Sequence, residues 1–192
     1  EQLEGIDTIT RNGKYLLTLL DDLLDLSKIE AGKTEIARES MAVRSLIKDV
    51  SALMSVRAVQ EGIPLKFEWL TEVPKRVTAD RIRTRQILVN LISNALKLTN
   101  EGEVKVPMRL NREHEVPTLD FSVIDTGIGI APDKLQEIFQ PFTQASYDTG
   151  REFGGAGLGL SISRRLAQAM GGTVSVKSET GKGSCFTLSL KV

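Results

Sequence analysis

The chain has 192 residues, with 25 Lys and Arg balanced by 25 Asp and Glu, and a single cysteine. Zero formal charge supplies no global field to hold nucleic acid or an anionic bilayer, so any anion site must be local; one cysteine excludes an intrachain disulfide, and no apolar run approaches the ~20 residues that span a bilayer. The length suits one well-buried domain with an appendage, nucleic acid is not an expected partner, and the expected setting is cytoplasmic.

Residues 1–31 carry Ile6, Ile9, Gly13, Leu16, Leu20 and Leu23 at alternating steps of three and four, widened by Leu17, Leu19, Leu24 and Leu26. This is the pattern of a long amphipathic helix. A stripe so wide needs more cover than one neighbour gives, which predicts a bundle, most simply a symmetric homodimer. The helical pattern runs from the first residue without a signal peptide or initiator Met, so the chain reads as part of something longer, and any membrane anchor belongs to that parent. Gly32 ends the helix as a left-handed residue.

Residues 34–40 read as a first strand, and 43–60 as a helix with Leu46, Ile47, Val50, Leu53 and Met54 inward, stopped by Gly62. Residues 64–70 alternate as a half-buried strand. A short strand at 76–78 leads to Asp80, a good cap for a helix over 81–99. In that helix Ile82, Ile87, Leu88, Leu91, Ile92, Ala95 and Leu96 form a core stripe, and Asn90, Asn94 and Lys97 fall at i, i+4 and i+7 along its edge. Amides and an ammonium on a helix are most often its wet face. In a row they also suit a metal-bridged polyphosphate, and the motifs downstream favour that reading.

Strands over 103–110 and 118–125 make a hairpin across the polar loop 111–115, and the second ends on Asp125-Thr126-Gly127-Ile128-Gly129-Ile130. A short helix over 133–139 is followed by a polar stretch, 140–153, long enough to serve as a lid. A helix over 158–170 starts out of Gly155-Ala156-Gly157-Leu158-Gly159-Leu160 and stops at Gly171-Gly172. Strands over 173–178 and 185–191 close the sheet, with Cys185 turned inward beside Phe186. Helices and strands cluster without strict βαβ alternation. The expected fold class is α+β: a two-layer α/β sandwich, its mixed, mainly antiparallel sheet covered by three helices, plus the long N-terminal helix. The domains fall at 1–31 and 32–192.

NLISNALKLT resembles the N box of sensor histidine kinases, DTGIGI their first glycine box, FQPFTQAS their F box, GGAGLGLSI their second glycine box and GKGSCFTL the last. The match covers roughly residues 34–192. The helix before it resembles the second helix of the family's dimerisation and phosphoacceptor bundle, and DLSKIEAGK the link out of that bundle. NALKLT through GLGLSI also resembles the hybrid-type kinases, whose receiver domain would follow in the parent. The resemblance implies the Bergerat fold of the GHKL superfamily, shared with gyrase-type and heat-shock chaperone ATPases. It further implies ATP and Mg2+ as cofactors, and a response regulator or receiver domain as partner.

The residues themselves supply a group for each part of such a nucleotide. Asp125, at a strand end, can accept from the exocyclic amine of adenine, where guanine presents a repelling carbonyl; a charged hydrogen bond there is worth about 1.5–3 kcal/mol. Gly127 and Gly129 let the backbone turn tightly beneath the base. Gly155, Gly157 and Gly159 open a helix whose amides point where phosphates would lie, and without a following Lys-Ser or Lys-Thr a Walker-type site is disfavoured. By resemblance Asn94 ligates magnesium, with Asn90 beside it, and Lys97 meets the terminal phosphates; Ile130, Phe142, Leu158 and Leu160 are the matching box positions around the nucleotide. Ser184 can reach the base through its hydroxyl. Phe139 and Phe142 anchor the F-box loop, and Leu98 departs from the aromatic usual after the N-box Lys.

Asn90 separates transfer from hydrolysis. In the hydrolytic relatives implied by the resemblance, a Glu four residues before the metal-binding Asn activates water, whereas an amide takes no proton at neutral pH. The site then holds a phosphoryl group in line for an incoming nucleophile. His114, the one histidine, sits in a polar loop without the Thr-Pro and amphipathic helix of the family's acceptor motif. The expectation is therefore a catalytic domain of a sensor histidine kinase that binds ATP and does not phosphorylate itself. A hydrolytic GHKL-type ATPase and a non-catalytic nucleotide-responsive module are the alternatives.

Overall fold

The computed structural model describes residues 2–113, 115–143 and 157–192, and the chain divides into two units, Glu1–Thr34 and Glu35–Val192. The first is a single helix, α1 (Gln2–Glu30), on which Ile6, Ile9, Leu16, Leu17, Leu20, Leu23 and Leu24 are exposed. Gly32 takes φ +65°, its N–H reaches the Ile29 carbonyl, and the Lys33 N–H reaches that of Lys28 at 2.9 Å. These are the paired bonds that close a helix on a left-handed residue. No helix among the described residues is long and apolar enough to cross a membrane.

The second unit runs β1 (Glu39–Ala42), α2 (Val43–Glu61), β2 (Leu65–Trp69), β3 (Arg76–Ala79), α3 (Arg81–Leu98), β4 (Val104–Asn111) and β5 (Thr118–Asp125). Two short 3-10 turns (Pro132–Lys134 and Glu137–Phe139), α4 (Gly159–Ala169), β6 (Thr173–Glu179) and β7 (Gly183–Lys191) complete it. Five strands form one sheet in the order β2-β4-β5-β7-β6, while β1 and β3 pair as a separate ribbon. Within the sheet β2 lies parallel to β4 and every other pair is antiparallel, the mixed, mainly antiparallel sheet expected.

Alternation along the strands decides where the core sits. Val104, Val106 and Met108 of β4, Leu119, Phe121 and Val123 of β5, and Phe186, Leu188 and Leu190 of β7 are all buried. Against them lie Leu46, Ile47, Val50 and Met54 of α2, the Ile87 to Leu96 stripe of α3, and Ile162 and Leu166 of α4. Each such side chain contributes about 1.5–3 kcal/mol on burial. The same alternation that turns Phe121 and Val123 inward turns Asp125 inward too, at the end of β5.

Five expectations need correction. The first strand lies at Glu39–Ala42, not 34–40, because Met41, 2% exposed and opposite Val77, is the side chain that reaches the core. Leu53 is exposed, off the edge of the stripe that Val50, Met54 and Ala58 define. Ile82 is 75% exposed. At 3.6 residues per turn it falls across the helix from Ile87 and Leu91, and Thr84 occupies the stripe instead, its hydroxyl donating to the Asp80 carbonyl. The short helix over 133–139 is two 3-10 turns without side-chain caps, too brief to repay helix nucleation. Cys185 does not turn inward: its neighbours Ser184 and Phe186 are buried, so it faces the other side of the sheet.

Candidate functional site

Asp125 is 6% exposed at the end of β5, where β4 and β7 flank it through Val104 and Ser184. Its Oδ1 accepts from the backbone N–H groups of Gly127 at 2.9 Å and Ser184 at 3.2 Å. Burial pushes its carboxyl above the ordinary 3.8, and those two N–H donors pull partly back. The side chain is thereby aimed by one oxygen, and no described group bonds the other.

The glycines around it allow approaches that any side chain would block. A Cβ on Gly127 would meet the Leu98 carbonyl at 2.2 Å, and one on Gly129, at φ +69°, the Glu179 carbonyl at 2.1 Å. The Ile128 N–H donates to Leu98 O, and the Gly181 N–H to Ile128 O. The first glycine box is thus clasped between the end of α3 and the turn joining β6 to β7. Ile130, 7% exposed, donates its N–H to Ser178 Oγ, and that hydroxyl also contacts Ser184 Oγ at 2.9 Å. The Ser184 hydroxyl therefore starts out engaged by Ser178, while its amide holds Asp125.

On the other flank, α3 meets α4. Asn90 Nδ2 donates to Ser163 Oγ at 3.0 Å, and a Cβ on Gly159 would sit 2.3 Å from Asn90 Oδ1. The amide is held by nitrogen, and its oxygen faces the start of α4, whose first turn has no side-chain cap. Uncapped N–H groups at a helix start suit an anion. Leu158 is buried at that start and Leu160 is half-buried. Asn94, one turn further along α3, is half-buried, and its carboxamide has no hydrogen-bond partner among the described residues. Lys97 follows, its pKa held below 10.5 by burial and then by the nearby Arg57 guanidinium. Arg57 itself donates to Ser93 Oγ.

The oxygens here would suit a magnesium ion, which takes oxygen ligands and keeps several waters. The Asn94 carboxamide, without a partner among the described residues, and that of Asn90, anchored through its nitrogen, offer oxygens. No group of three or more His, Cys, Asp or Glu able to hold a metal by itself occurs among the described residues.

The F-box end and the second glycine box also meet. The Phe142 N–H donates to the Gly157 carbonyl at 3.1 Å, and a Cβ on Gly157, at φ +70°, would meet Thr143 O at 2.7 Å. Phe139 packs edge-on against Phe186 with ring centroids 6.4 Å apart, under the Arg164 guanidinium. Phe142 does not anchor the loop: it is 65% exposed and carries a positive φ of 63°. Gly155, most of the proposed lid and His114 lie outside the described residues. Sequence reasoning missed Ser163 and Ser178. Ser163 lies one helical turn past Gly159, and Ser178 opposes Ser184 across β6 and β7, but small hydroxyls at such places carry no signal of their own.

Comparison with known proteins follows the same outline. The model of the histidine kinase-, DNA gyrase B-, and HSP90-like ATPase family matches residues 79–192. The chain is 39% identical over 190 residues to hybrid signal transduction histidine kinase B of Dictyostelium discoideum, covering 98% of this chain and 10% of that protein. It is 38% identical to the sensor protein GacS of Pseudomonas syringae, covering 100% of this chain and 21% of that protein. The chain thus spans between a tenth and a quarter of the length of these relatives. Among solved structures, full-length ShkA in complex with AMPPNP superposes with a TM-score of 0.85 at 35% identity, over 98% of this chain and 38% of that one. The catalytic domain of the histidine kinase ThkA gives 0.66 at 27% identity, over 82% of this chain and 96% of that one.

Proposed function

From the premise that this chain belongs to the histidine kinase-, DNA gyrase B-, and HSP90-like ATPase family, as the ATP-binding catalytic domain of a sensor histidine kinase, we propose that it positions Mg-ATP for transfer of the γ-phosphoryl group to a histidine supplied by the parent protein. The observation that carries this reading is that α3 is the common wall of both glycine boxes. Gly127 closes on Leu98 and Gly159 on Asn90, eight residues or roughly 12 Å apart along the helix, a span the size of a nucleotide.

In this reading the bonded Oδ1 aims Asp125, and Oδ2 accepts from the adenine amine. Gly127, Gly129, Ile130 and Ser184 shape the base pocket. The start of α4 and Gly157 face the phosphates with Leu158 and Leu160 beneath, Phe142 flanks the entrance, and Lys97 meets the terminal phosphate. Magnesium, held through Asn94 and Asn90, would supply charge neutralisation. The bond from the γ-phosphorus to its bridging oxygen breaks as a P–N bond to the imidazole forms, and ADP leaves. Positioning does most of the work in such a transfer. Asn90, an amide, activates no water, which supports transfer over a hydrolytic ATPase; relatives named as kinases count against a non-catalytic module.

The exposed apolar face of α1 supports pairing with a second copy in a bundle that also holds the phosphoacceptor helix. ThkA has been solved with the response regulator TrrA, which supports a response regulator or receiver domain as the onward acceptor here. The reading is tested by calorimetric titration of ATP with and without Mg2+. Asp125→Ala is expected to abolish detectable binding with the circular dichroism spectrum unchanged, and Asn94→Ala to remove the magnesium-dependent gain. Parental affinity in Asp125→Ala refutes the base assignment, and steady ATP turnover well above background restores the hydrolytic alternative.

A further inference from the structure

A second concave site lies at the opposite end of the sheet from Asp125. The groove, about 600 Å³, is lined by Arg38, Arg76, Arg112 and Lys191 over a floor that includes Pro74 and Leu110. Among its lining residues none is an Asp or Glu. In a chain whose charges balance 25 against 25, four cationic side chains with no Asp or Glu side chain among the lining residues concentrate positive potential against a partly apolar wall, which focuses it.

The cations come from separate elements that the fold brings together. Arg76, at the start of β3, is held in place by Ser40 of β1, with Nε donating to its Oγ at 2.6 Å and Nη2 to its carbonyl. Lys191 ends β7 opposite Thr118, and Arg112 follows the end of β4. Arg109 nearby is spent on Asp120, whereas Arg38, Arg112 and Lys191 have no ion-pair partner among the described residues. Guanidinium forks converging on one hollow suit the geminal oxygens of phosphate, and the volume is that of a small-molecule site. The length of β5, seven steps from Thr118 to Asp125 or roughly 23 Å, separates it from the nucleotide.

We propose that this groove is a second ligand site, one that takes a small anion carrying two or more phosphates, independently of the nucleotide bound at Asp125. Free diphosphate and a doubly phosphorylated organic molecule present the same chemistry, and the test separates them. The 192-residue chain, labelled with 15N and saturated with ADP, is titrated with inorganic pyrophosphate in the absence of Mg2+, and in parallel with fructose 1,6-bisphosphate. The proposal expects saturable shifts at the amides of Arg38, Arg112 and Lys191 with ADP still bound, tighter for whichever source fits the floor. Affinity should fall about tenfold or more in Arg38→Ala/Arg112→Ala, with ADP affinity unchanged. Single Arg112→Glu provides the same readout should the double variant fold poorly. Shifts confined to Asn90, Asn94 and Gly159, no saturable shift with either anion, or binding of poly-glutamate without binding of either phosphate would overturn it.

Discussion

The carboxylate of Asp125 is costly to the fold and useful to the ligand. Its folded-state pKa lies above the unfolded value of 3.8, with burial as the leading cause. The native state therefore holds the proton more tightly than the unfolded chain, and this group's contribution to stability declines as pH rises through the interval between those values. Asp125→Asn removes the ionisable group while keeping an oxygen for the Gly127 and Ser184 N–H groups. It is expected to melt at least as high as the parent at pH 7, with the difference closing toward pH 4, while ADP affinity drops about 10- to 100-fold for the lost charged hydrogen bond. Thermal denaturation across pH 4–8 beside calorimetry checks both; a stability deficit that widens with pH would contradict the burial argument. Gly159→Ala is a steric probe. Its Cβ meets Asn90 Oδ1 at 2.3 Å, so urea denaturation should show a loss of about 1–3 kcal/mol. An added Asn90→Ala should restore that stability without restoring nucleotide affinity. Asp125 and the glycines were legible in the sequence because few residue types can do what they do. Ser163 and Ser178 were not, since a hydroxyl on a helix or strand gains its role from a partner 73 residues away in one case and a cross-strand neighbour in the other.

Helix α3 rests on its first turn as much as on its stripe. Asp80 Oδ1 accepts from the Arg83 N–H at 2.9 Å, and Oδ2 accepts from the Ala37 N–H at 3.0 Å. Asp80→Ala should cost about 0.5–2 kcal/mol for the cap, toward the upper end because Ala37 also loses its acceptor, whereas Ile82→Lys should stay within about 0.5 kcal/mol of the parent. Chemical denaturation of both variants checks the contrast, and a large loss in Ile82→Lys would place that side chain in the core after all. The helix was readable from Asp80 and from the spacing of Ile87, Leu88, Leu91, Ile92, Ala95 and Leu96. Ile82 is apolar like the stripe but sits at an angle that faces solvent. Strands β4 and β5 were readable to within a residue, since Val104, Val106 and Met108 and then Leu119, Phe121 and Val123 put an apolar side chain on the buried face at every second position. Residues 34–42 were not: only Met41 there packs into the core, and β1 exists by pairing with β3, a non-local event.

Composition required only that any anion site be local, the order of helix and strand patterns placed the chain among mixed folds, and the ordered glycine boxes narrowed the ligand to a nucleotide. The sheet order β2-β4-β5-β7-β6, the isolated β1–β3 ribbon and the basic groove are properties of assembly, so no local pattern announced them. Because the unit Glu35–Val192 holds every described residue of the nucleotide site, removing residues 1–34 should leave ATP affinity within about twofold while abolishing self-association driven by the apolar face of α1. Calorimetry and light scattering on the shortened chain check this, and a collapse of ATP binding would mean that α1 takes part in the site. The central claim is that Asp125 and Asn94 address two ends of one nucleotide. Titrating the 15N-labelled chain with Mg-AMPPNP tests it most directly: amide shifts at Gly127 and Ser184 and those at Asn94 and Gly159 should saturate together with a single dissociation constant. Shifts in one group alone, or two unequal dissociation constants, would contradict it.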